Sequence, residues 1–535
     1  MSGAAHSPAN RQGEAPARKR ASGTHCVGYG DVDRKSRSEE RADAARAERS
    51  VRQLKEQETG TMDPYQQFSH HVQQAADEFR KLDRKDAVRL VSHLDADGIS
   101  ACALLVKLLN LDNRTYSISI VQQLKPEVLN EIALESYKTV IFSDLASGMI
   151  EDIRKTLPDR KVFIIDHHEF TEPERMGNIT LVNPHAFGID GGKEIAGAGV
   201  AYLFSKAVDP RMEEYAHIAV IGAIGDMQED GGFARLNNEI LQTAVEKGKI
   251  KIIRGLRLFG AQTKPLHKVL EYSTDPYIPG VSGSESGAIQ FLHQCGINPK
   301  NGAGWKKVKD LSEEEMRTMI THVIMRRLGE SAPEDVLGNV YLLRQEEEGS
   351  PTKDAKEFST LLNACGRMGK GSLGIGACIG DKSHKRKAVA LMAEYKREIV
   401  NAMRWFEENR ESPHVEKGKG YLIINTGDKI MPTIVGTMAS IISRGNGMKS
   451  GTYILSLAQL IDGSTKVSLR ISGIRDDPSV DLKGTMDRIV EGLEGCESGG
   501  HQHAAGAVFP SPMEPAFLES ARRVLGGLAM EEKIS

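Results

Sequence analysis

The stretch that decides the fold is Val91-Ser92-His93-Leu94-Asp95-Ala96-Asp97-Gly98-Ile99-Ser100. An apolar segment leads into it, and an apolar, helix-like segment follows its glycine. Alternate side chains of an extended segment point the same way, so His93, Asp95 and Asp97 are predicted to converge on one volume. Such groups repel one another or lose solvation unless a cation neutralises them. The stretch therefore predicts a strand that ends in a metal site, and the alternative is a helix cap formed by Asp97 or Ser100.

Further polar residues follow apolar segments downstream. The apolar, β-branched segments are 87–92, 116–121, 139–142, 161–165 and 179–182, and the stretches between them are long enough for helices. This alternation predicts an α/β fold with a doubly wound parallel sheet. Ligands of such sheets bind beyond the carboxyl ends of the strands. The residues that fall at those ends are Asp95, Asp97, Asp144, Asp166, His167 and His168.

A further carboxylate, Asp226, ends the apolar segment 218–225. We expect it to be buried or nearly so, and a buried carboxylate needs a partner. Asp226 is therefore predicted to join the cluster, and capping of a following turn is the alternative.

Composition limits the classes of function. A chain of 535 residues is too long for one core, and about two to four domains are expected. The net charge of -3 excludes a global polycation, so nucleic-acid binding would need a local basic groove. The six cysteines form no C-x-x-C pair, which argues against a structural zinc or a disulfide framework. No apolar segment approaches the ~20 residues of a membrane span, and no signal-peptide core opens the chain, so we expect a cytoplasmic protein.

The domain organisation follows from changes in pattern. Residues 1–61 lack apolar periodicity and are predicted to be a disordered tail; one hypothesis is that Met62 is the natural start and the tail a gene-model artefact. Residues 62–240 form the first α/β domain, and 241–355 a mostly helical insertion with a capping box at Ser312. The insertion either packs on the first domain or binds a partner. Residues 356–415 complete the first lobe and provide a long connecting helix, and 416–535 form a smaller α/β domain.

Two features of the smaller domain suit a phosphate-containing ligand. The strand around 467–471 places Lys466, Ser468, Arg470 and Ser472 on one face. The alternative is the solvated face of an edge strand. The segment Gly499-Gly500-His501-Gln502-His503-Ala504-Ala505-Gly506 is either a substrate loop or only a tight turn.

Taken together, these motifs resemble the DHH phosphoesterase superfamily with its DHH-associated substrate domain, DHHA1. The matching elements are His93-x-Asp95-x-Asp97-Gly98, Asp144, Asp166-His167-His168, Asp226, Gly499-Gly500-His501 and Ala504-Ala505-Gly506. Within the superfamily the chain is most similar to archaeal RecJ-like single-strand nucleases, including those that associate with the replication factor GINS. The segment 357–367 is also similar to that subgroup. The resemblance covers roughly residues 85–510; it implies a DHH catalytic domain at 62–240 and a DHHA1 domain at 416–535.

The resemblance also implies roles for individual residues. It implies two divalent cations, Mn²⁺ or Mg²⁺, with Asp144 as a bridge; the implied ligands are His93, Asp95, Asp97, Asp144, His167 and Asp226. Asp166 would orient the neighbouring histidine, and His168 would face the scissile phosphate. The implied substrate-binding residues are Ser468, Arg470, Gly499, Gly500, His501, Asn363 and Arg367. The chain departs from the family at three places. Bacterial RecJ proteins have an aspartate at the position of His93, and Ser498 replaces the first glycine of the usual triplet. We also expect no OB fold of the kind that helps bacterial RecJ hold long single strands, because about thirty residues follow Gly506.

The expected function is that of a metal-dependent hydrolase, a two-metal phosphodiesterase acting as an exonuclease on single-stranded DNA or RNA. The resemblance implies 5′ to 3′ polarity, a role in DNA replication or repair, and GINS or other replisome proteins as partners. One alternative is a small-substrate enzyme of the same superfamily that cleaves short oligonucleotides or cyclic dinucleotides. The other is a non-catalytic replisome scaffold.

Overall fold

The computed structural model describes residues 62–171, 175–273, 276–329, 333–445, 448–473 and 480–531. The chain divides into residues 1–63 and 64–535, and every helix and strand given below belongs to the second unit. The predicted tail, residues 1–61, lies outside the described part, and the hypothesis that Met62 is the natural start stays a prediction. Among the described helices, none is both long and apolar enough to cross a membrane.

A five-stranded parallel sheet forms the centre of the first domain. Its strands are β1 (Val88–His93), β2 (Tyr116–Val121), β3 (Thr139–Ser143), β4 (Lys161–Ile165) and β5 (Ile179–Val182). Their order is β2-β1-β3-β4-β5, and every ladder is parallel. The predicted parallel sheet is confirmed, and all five carboxyl ends meet at one edge.

Alternate residues of the strands pack on opposite faces of this sheet, which makes it doubly wound. Phe163 faces one side, where its ring lies 5.9 Å from Phe79 and 6.0 Å from Phe204. Its neighbour Ile164 belongs to the separate core cluster on the other side. The helices of this domain are α1 (Pro64–Arg80), α2 (Ala96–Leu111), α3 (Pro126–Leu134), α4 (Ile150–Thr156), α5 (Gly197–Val208), α6 (Ala216–Gly225) and α7 (Arg235–Glu246).

The insertion has a hydrophobic core of its own. Its elements are β6 (Ile250–Leu256), α8 (Leu266–Glu271), α9 (Glu285–Gln294), β7 (Lys300–Asn301), β8 (Gly304–Trp305), α10 (Glu313–Arg326) and β9 (Leu337–Leu343). Residues on all three helices contribute to that core. The capping box is present, since Ser312 Oγ accepts from Glu315 N at 3.1 Å and Glu315 Oε2 accepts from Ser312 N at 2.9 Å. The antiparallel pair of β6 and β9 connects the insertion to the first domain and has no counterpart in the sequence-based prediction.

Three helices return the chain to the first lobe. They are α11 (Ala355–Arg367), α12 (Gly371–Cys378) and α13 (Lys382–Glu408). Buried residues of all three join the main core cluster, together with residues of α2. The helix α13 is the long amphipathic helix that the sequence predicts.

The smaller domain contains a mixed six-stranded sheet. Its elements are β10 (Val415–Gly418), β11 (Tyr421–Asn425), α14 (Pro432–Arg444), β12 (Tyr453–Gln459), β13 (Ser464–Ile471), α15 (Leu482–Val490), β14 (Glu497–His501), β15 (Ala504–Pro510) and α16 (Glu514–Glu531). The order β10-β11-β12-β13-β15-β14 places β13 inside the sheet, so the edge-strand interpretation of its polar face is wrong. Val467 and Leu469 belong to the core cluster shared with α15 and α16, whereas Arg470 faces α14, where its Nε donates to Ser440 Oγ at 3.0 Å.

Candidate metal centre

The turn between β1 and α2 provides the first part of the site. β1 ends at His93, and Asp95 is the N-cap of α2, because its Oδ1 accepts from Gly98 N at 2.9 Å. The cap is therefore Asp95, and neither Asp97 nor Ser100 takes that role. The second oxygen of Asp95 lies 2.9 Å from His93 Nδ1. These residues are not on one extended segment as predicted; the change from strand to helix brings them together.

Asp144 lies at the centre of the site. It follows β3 with a φ of 57°, a left-handed conformation that is uncommon for residues with a side chain. Its residue surface is 2% exposed, and neither carboxylate oxygen has a hydrogen-bond partner. One oxygen lies 3.6 Å from His93 Nδ1 and the other 3.3 Å from His167 Nε2. A Cβ at Gly197 would lie 2.5 Å from Asp144 Oδ1, which explains a glycine at the first residue of α5.

His167 and Asp97 lie on the other side of Asp144. The Nδ1 of His167 donates to the Gly191 carbonyl at 2.8 Å, so Nε2 faces the carboxylates, 3.7 Å from Asp97 Oδ2. Asp97 also accepts from Gly197 N at 2.7 Å and from Ala198 N at 3.0 Å. It is therefore held by the N-terminus of α5, where the helix dipole favours negative charge.

Asp226 follows α6 and completes this side, with Oδ2 at 3.9 Å from His167 Nε2. The expectation that Asp226 is buried is wrong, because its side chain is 34% exposed where the chain leaves the helix. Gln228, which the sequence did not single out, donates from Nε2 to Asp226 Oδ2 at 2.9 Å and to the Gly191 carbonyl at 3.0 Å. No motif marks this glutamine, because its role depends on contacts between separate loops.

Asp166 orients the ring of His168, whereas the Gly191 carbonyl orients the ring of His167. Its Oδ1 lies 2.7 Å from His168 Nδ1 and accepts from His167 N at 2.8 Å, and its Oδ2 accepts from Ser147 N at 3.0 Å. Asp166 is fully buried, whereas the side chain of His168 is 56% exposed. The Nδ1 of His168 is thus engaged with Asp166, and Nε2 remains for a substrate.

The electrostatics of the centre reflect crowded negative charge. Burial raises the pKa of Asp97, and the Asp144 carboxylate raises it further. Loss of solvation raises the pKa of Asp226, although its side chain is partly exposed. The charge of His167 lowers this pKa and the charge of Asp144 raises it, and the result is a pKa of about 6. Burial lowers the pKa of His93, but the charges of Asp95 and Asp144 outweigh it and raise that pKa well above its usual value. Without a cation, the site therefore retains protons to limit repulsion.

Two groups of side chains are suited to divalent cations, and a third group overlaps them. The overlapping group is Asp144, Asp166, His167 and His168, in which Asp166 and His168 already contact each other. The two ligand groups are His93, Asp95 and Asp144, and Asp97, His167 and Asp226. Asp144 adjoins both, since its two oxygens face one histidine of each group. Partnerless, buried carboxylate oxygens are costly unless a cation binds them. Carboxylate and imidazole ligands suit Mn²⁺ or Mg²⁺. The residues present therefore fit divalent cations of this kind.

The helix α11 supports the metal-binding turn from behind. Asn363 Oδ1 accepts from Ala96 N at 3.0 Å, so this residue, predicted to bind substrate, holds the start of α2. A Cβ at Gly366 would lie 1.5 Å from the Leu94 carbonyl oxygen. The two contacts fix the turn against α11, although the residues are far apart in sequence.

A cationic pocket, defined by Arg367, Lys466 and Arg470, lies between α11, α14 and β13. Arg367 Nη1 donates to Tyr395 Oη at 2.8 Å and to Thr437 Oγ1 at 2.9 Å. Burial, followed by the charge of Arg367, lowers the pKa of Lys466 to about 8 and that of Arg470 to about 10. Within the described residues, none of the three cations has a carboxylate within 4 Å. Half-buried cations without counter-ions indicate an anion-binding pocket.

The remaining predicted substrate residues lie near this pocket or in the β14–β15 hairpin. Ser468 is 6% exposed, and its Oγ would lie 2.9 Å from a Cβ at Gly436. Gly499 and Gly500 lie in β14, where a Cβ at Gly500 would lie 2.3 Å from the Ala504 carbonyl oxygen. The backbone of His501 pairs with Ala504, but its side chain lies outside the described part. The hairpin geometry requires at least one of these glycines.

Polar contacts connect the smaller domain to the carboxyl edge of the parallel sheet. Lys483 Nζ lies 3.5 Å from the carboxylate of Glu169, the residue after His168. Lys125 Nζ lies 3.3 Å from Asp462 Oδ2, and Gln123 donates to Glu497 at 3.2 Å. The smaller domain therefore faces the metal-binding side of the first domain.

Comparison with known families accounts for this arrangement. Residues 87–223 match the model of the DHH family, N-terminal domain, and residues 258–340 match that of the DHH-CID domain. The chain contains a DHH-family domain. Residues 87–223 include every residue of the two ligand groups except Asp226, which follows shortly after. At the level of the family, the acidic cluster and this membership support metal-dependent phosphoesterase chemistry.

Relatives extend the match over most of this DHH protein. It is 27% identical over 457 residues to an uncharacterized protein of Methanocaldococcus jannaschii, which covers 82% of this chain and 93% of the relative. RecJ of Thermus thermophilus, solved with Mn²⁺, matches with a TM-score of 0.52 and 16% identity, covering 86% of this chain and 55% of RecJ. The chain thus spans about half the length of that RecJ. CDC45 of Entamoeba histolytica matches with a TM-score of 0.57 and 13% identity, covering 85% of this chain and 99% of that CDC45. At these identities the two structures show a shared RecJ-like fold.

Proposed function

We propose that this DHH protein is a two-metal phosphodiesterase that removes nucleotides from the end of single-stranded nucleic acid. The observation that carries the proposal is the buried, partnerless carboxylate of Asp144 between two ligand groups. Neither oxygen accepts a hydrogen bond, and each faces a histidine at 3.3 or 3.6 Å, so a bound cation would compensate for the lost solvation. A cationic pocket without counter-ions between the two lobes supplies the complementary feature, since it suits the phosphates of a strand.

The side chains have distinct tasks in the proposed reaction. His93, Asp95 and Asp144 would hold one cation, and Asp97, His167 and Asp226 the other. The bound ions would supply Lewis acidity towards a phosphate and a nucleophile derived from water.

The substrate itself would meet two further sets of residues. His168, oriented by Asp166, would donate from Nε2 to a phosphate oxygen. Arg367, Lys466 and Arg470 would bind neighbouring phosphates and fix the strand relative to the metals. Division of these tasks between two lobes places the scissile bond in the space between them.

The finer parts of the proposal rest on the resemblance to RecJ-like nucleases. They are 5′ to 3′ polarity, action on DNA or RNA, a role in DNA replication or repair, association with GINS or other replisome proteins, and a cytoplasmic location. The RecJ-like fold and the DHH-CID insertion support this assignment at the level of architecture.

Two alternative functions can be distinguished from this proposal. A small-substrate enzyme of the same superfamily would share the metal residues, but the long insertion favours a polymeric substrate. A non-catalytic scaffold is the second rival, and the shared fold with CDC45 is the observation in its favour. The complete ligand groups speak against a scaffold, because a scaffold has no chemical need for them.

The test is a gel time course with end-labelled single-stranded DNA and RNA of several lengths, in Mn²⁺, Mg²⁺ or EDTA. Asp95→Asn is the inactive variant of choice, because asparagine keeps the N-cap of α2 while it removes the charge. We expect metal-dependent shortening of long strands that the variant lacks, and the fate of the label gives the polarity. Cleavage confined to the shortest strands favours the small-substrate enzyme, and no cleavage by folded, metal-loaded protein favours the scaffold.

Lys466 makes strand binding dependent on pH. With its pKa lowered to about 8, Lys466 is charged at pH 7 and largely neutral at pH 9, so its attraction for phosphate falls as pH rises. We expect the affinity for a short oligonucleotide, measured by fluorescence anisotropy in EDTA, to fall roughly tenfold between these values, since a charge-assisted hydrogen bond contributes about 1.5–3 kcal/mol. Lys466→Arg keeps its charge throughout and is expected to lose this dependence. An unchanged pH profile in Lys466→Arg would contradict the assignment.

A further inference from the structure

The insertion carries exposed aromatic side chains close to lysines. Tyr272 is 53% exposed and Trp305 is 41% exposed. Lys264 Nζ lies 4.9 Å from the ring centre of Phe259 and 4.7 Å from that of Tyr272. Lys300 Nζ lies 5.6 Å from the ring centre of Trp305. We call these five residues the aromatic–lysine face.

The two parts of this face are joined through α8. The ring of His267 in α8 packs against Trp305 in a tilted arrangement, with 4.0 Å between ring centres. The short β7–β8 hairpin that carries Trp305 is tied to the same helix by a hydrogen bond of 2.7 Å from Leu266 N to the Lys306 carbonyl. Tyr272 follows the last residue of α8. The aromatic rings are therefore held on one small scaffold.

The charges of this face that no ion pair compensates are positive. Lys268 is neutralised by Glu271 at 2.8 Å and Glu285 at 3.0 Å. By contrast, Lys264 and Lys300 have no ion pair within 4 Å among the residues that the structure describes. Exposed rings beside unpaired lysines match the chemistry of a single strand, which offers base faces and phosphates together.

The face is also connected to α11, the helix that carries Arg367 of the cationic pocket. The buried carboxylate of Glu357, in the first turn of α11, accepts from Gln262 N at 3.0 Å and from Thr263 Oγ1 at 2.6 Å. The loop that carries Lys264 is thus fixed to one end of α11, and Arg367 of the cationic pocket ends the same helix. Ten residues of helix span about 15 Å, a distance that several nucleotides can bridge.

We propose that the aromatic–lysine face binds single-stranded nucleic acid, with bases stacked on Tyr272 and Trp305 and phosphates paired with Lys264 and Lys300. It would hold a long strand whose end lies in the cleft between the two lobes. The proposal rests on the proposed function in one respect, since it takes the substrate strand as the ligand of this face.

The chain contains two tryptophans, which allows a direct test. The second, Trp405, is half-buried against the main core, so Trp405→Phe leaves Trp305 as the single reporter. Titration of this variant with a 20-nucleotide strand in EDTA is expected to quench the fluorescence of Trp305. In the same background, Tyr272→Ala is expected to weaken binding about 5- to 150-fold, the range for loss of one stacked base, whereas Tyr272→Phe retains affinity.

The controls separate stacking from charge and binding from catalysis. Polyphosphate of matched charge supplies phosphates without bases, and it is expected to compete weakly and leave the fluorescence unchanged. Absence of quenching by the strand, or equal affinity of the Tyr272→Ala and Tyr272→Phe variants, would overturn the inference, as would polyphosphate that quenches like the strand. Cleavage of long strands in Mn²⁺ without quenching would contradict strand binding by the aromatic–lysine face but not the proposed nuclease activity. Quenching without cleavage would contradict the proposed nuclease activity but not strand binding by this face.

Discussion

Replacement of Asp144 by asparagine is expected to abolish metal-dependent cleavage, with a loss of about 10³-fold or more. The carboxylate belongs to one ligand group and faces His167 of the other, and metal stabilisation of a phosphoryl transition state contributes several kcal/mol, about tenfold in rate for each 1.4 kcal/mol. Asparagine has nearly the same shape, so the fold should persist. Steady-state cleavage of an end-labelled strand measures the effect.

A second readout of Asp144→Asn does not depend on cleavage. Mn²⁺ at 100 times its Kd stabilises a protein by about 2.7 kcal/mol, and we expect the wild type to show such a gain in urea unfolding but the variant to show little of it. In EDTA the variant should be no less stable than wild type, because the substitution removes one of several crowded negative charges. Asp86→Asn is the control, since Asp86 lies before β1 at the opposite end of the strand and pairs with the exposed Lys138. Equal Mn²⁺ stabilisation of both variants would contradict the metal assignment.

Gly366→Ala is expected to destabilise the protein by about 2–3 kcal/mol and to lower its activity together with its stability. The new Cβ would lie 1.5 Å from the Leu94 carbonyl oxygen and 2.7 Å from the Leu94 carbonyl carbon. Backbone cannot give way as a flexible side chain can, so α11 or the metal-binding turn must move. Movement of α11 would also break the hydrogen bond between Asn363 and Ala96 N. Urea unfolding in EDTA measures the stability, and Mn²⁺ titration of cleavage measures the damage to the site.

Gly527→Ala provides the matched control for Gly366→Ala. Both glycines lie in helices, but a Cβ at Gly527 would meet nothing within 4 Å. Alanine at an exposed helical position is favoured over glycine by up to about 1 kcal/mol, so this variant should be as stable as wild type or more stable. If both substitutions leave stability unchanged, α11 does not pack on the metal-binding turn as described.

Local pattern was sufficient to predict the parallel sheet and the position of the site. Strand residues reveal themselves by apolar, β-branched segments, and a parallel sheet brings their carboxyl ends to one edge. Asp95, Asp144 and His167 therefore meet where the segment ends predict, and the capping box at Ser312 is equally local. Spacing could not tell that Asp95 caps α2, because an extended segment and a strand-to-helix turn share the same sequence signal.

Contacts between residues that are far apart in sequence depend on tertiary packing. Asp166 orients His168 while the Gly191 carbonyl orients His167, and only the folded positions of the loops distinguish these partners. Asn363 reaches Ala96 across more than 260 positions of sequence, and Arg367 joins Lys466 and Arg470 from a different lobe. Such contacts depend on how helices and sheets pack after they form, so no short motif records them. The candidate ligands His93, Asp144 and His167 follow from strand ends, whereas the supports of the metal centre and the cationic pocket follow from the packing of α11 between the two lobes.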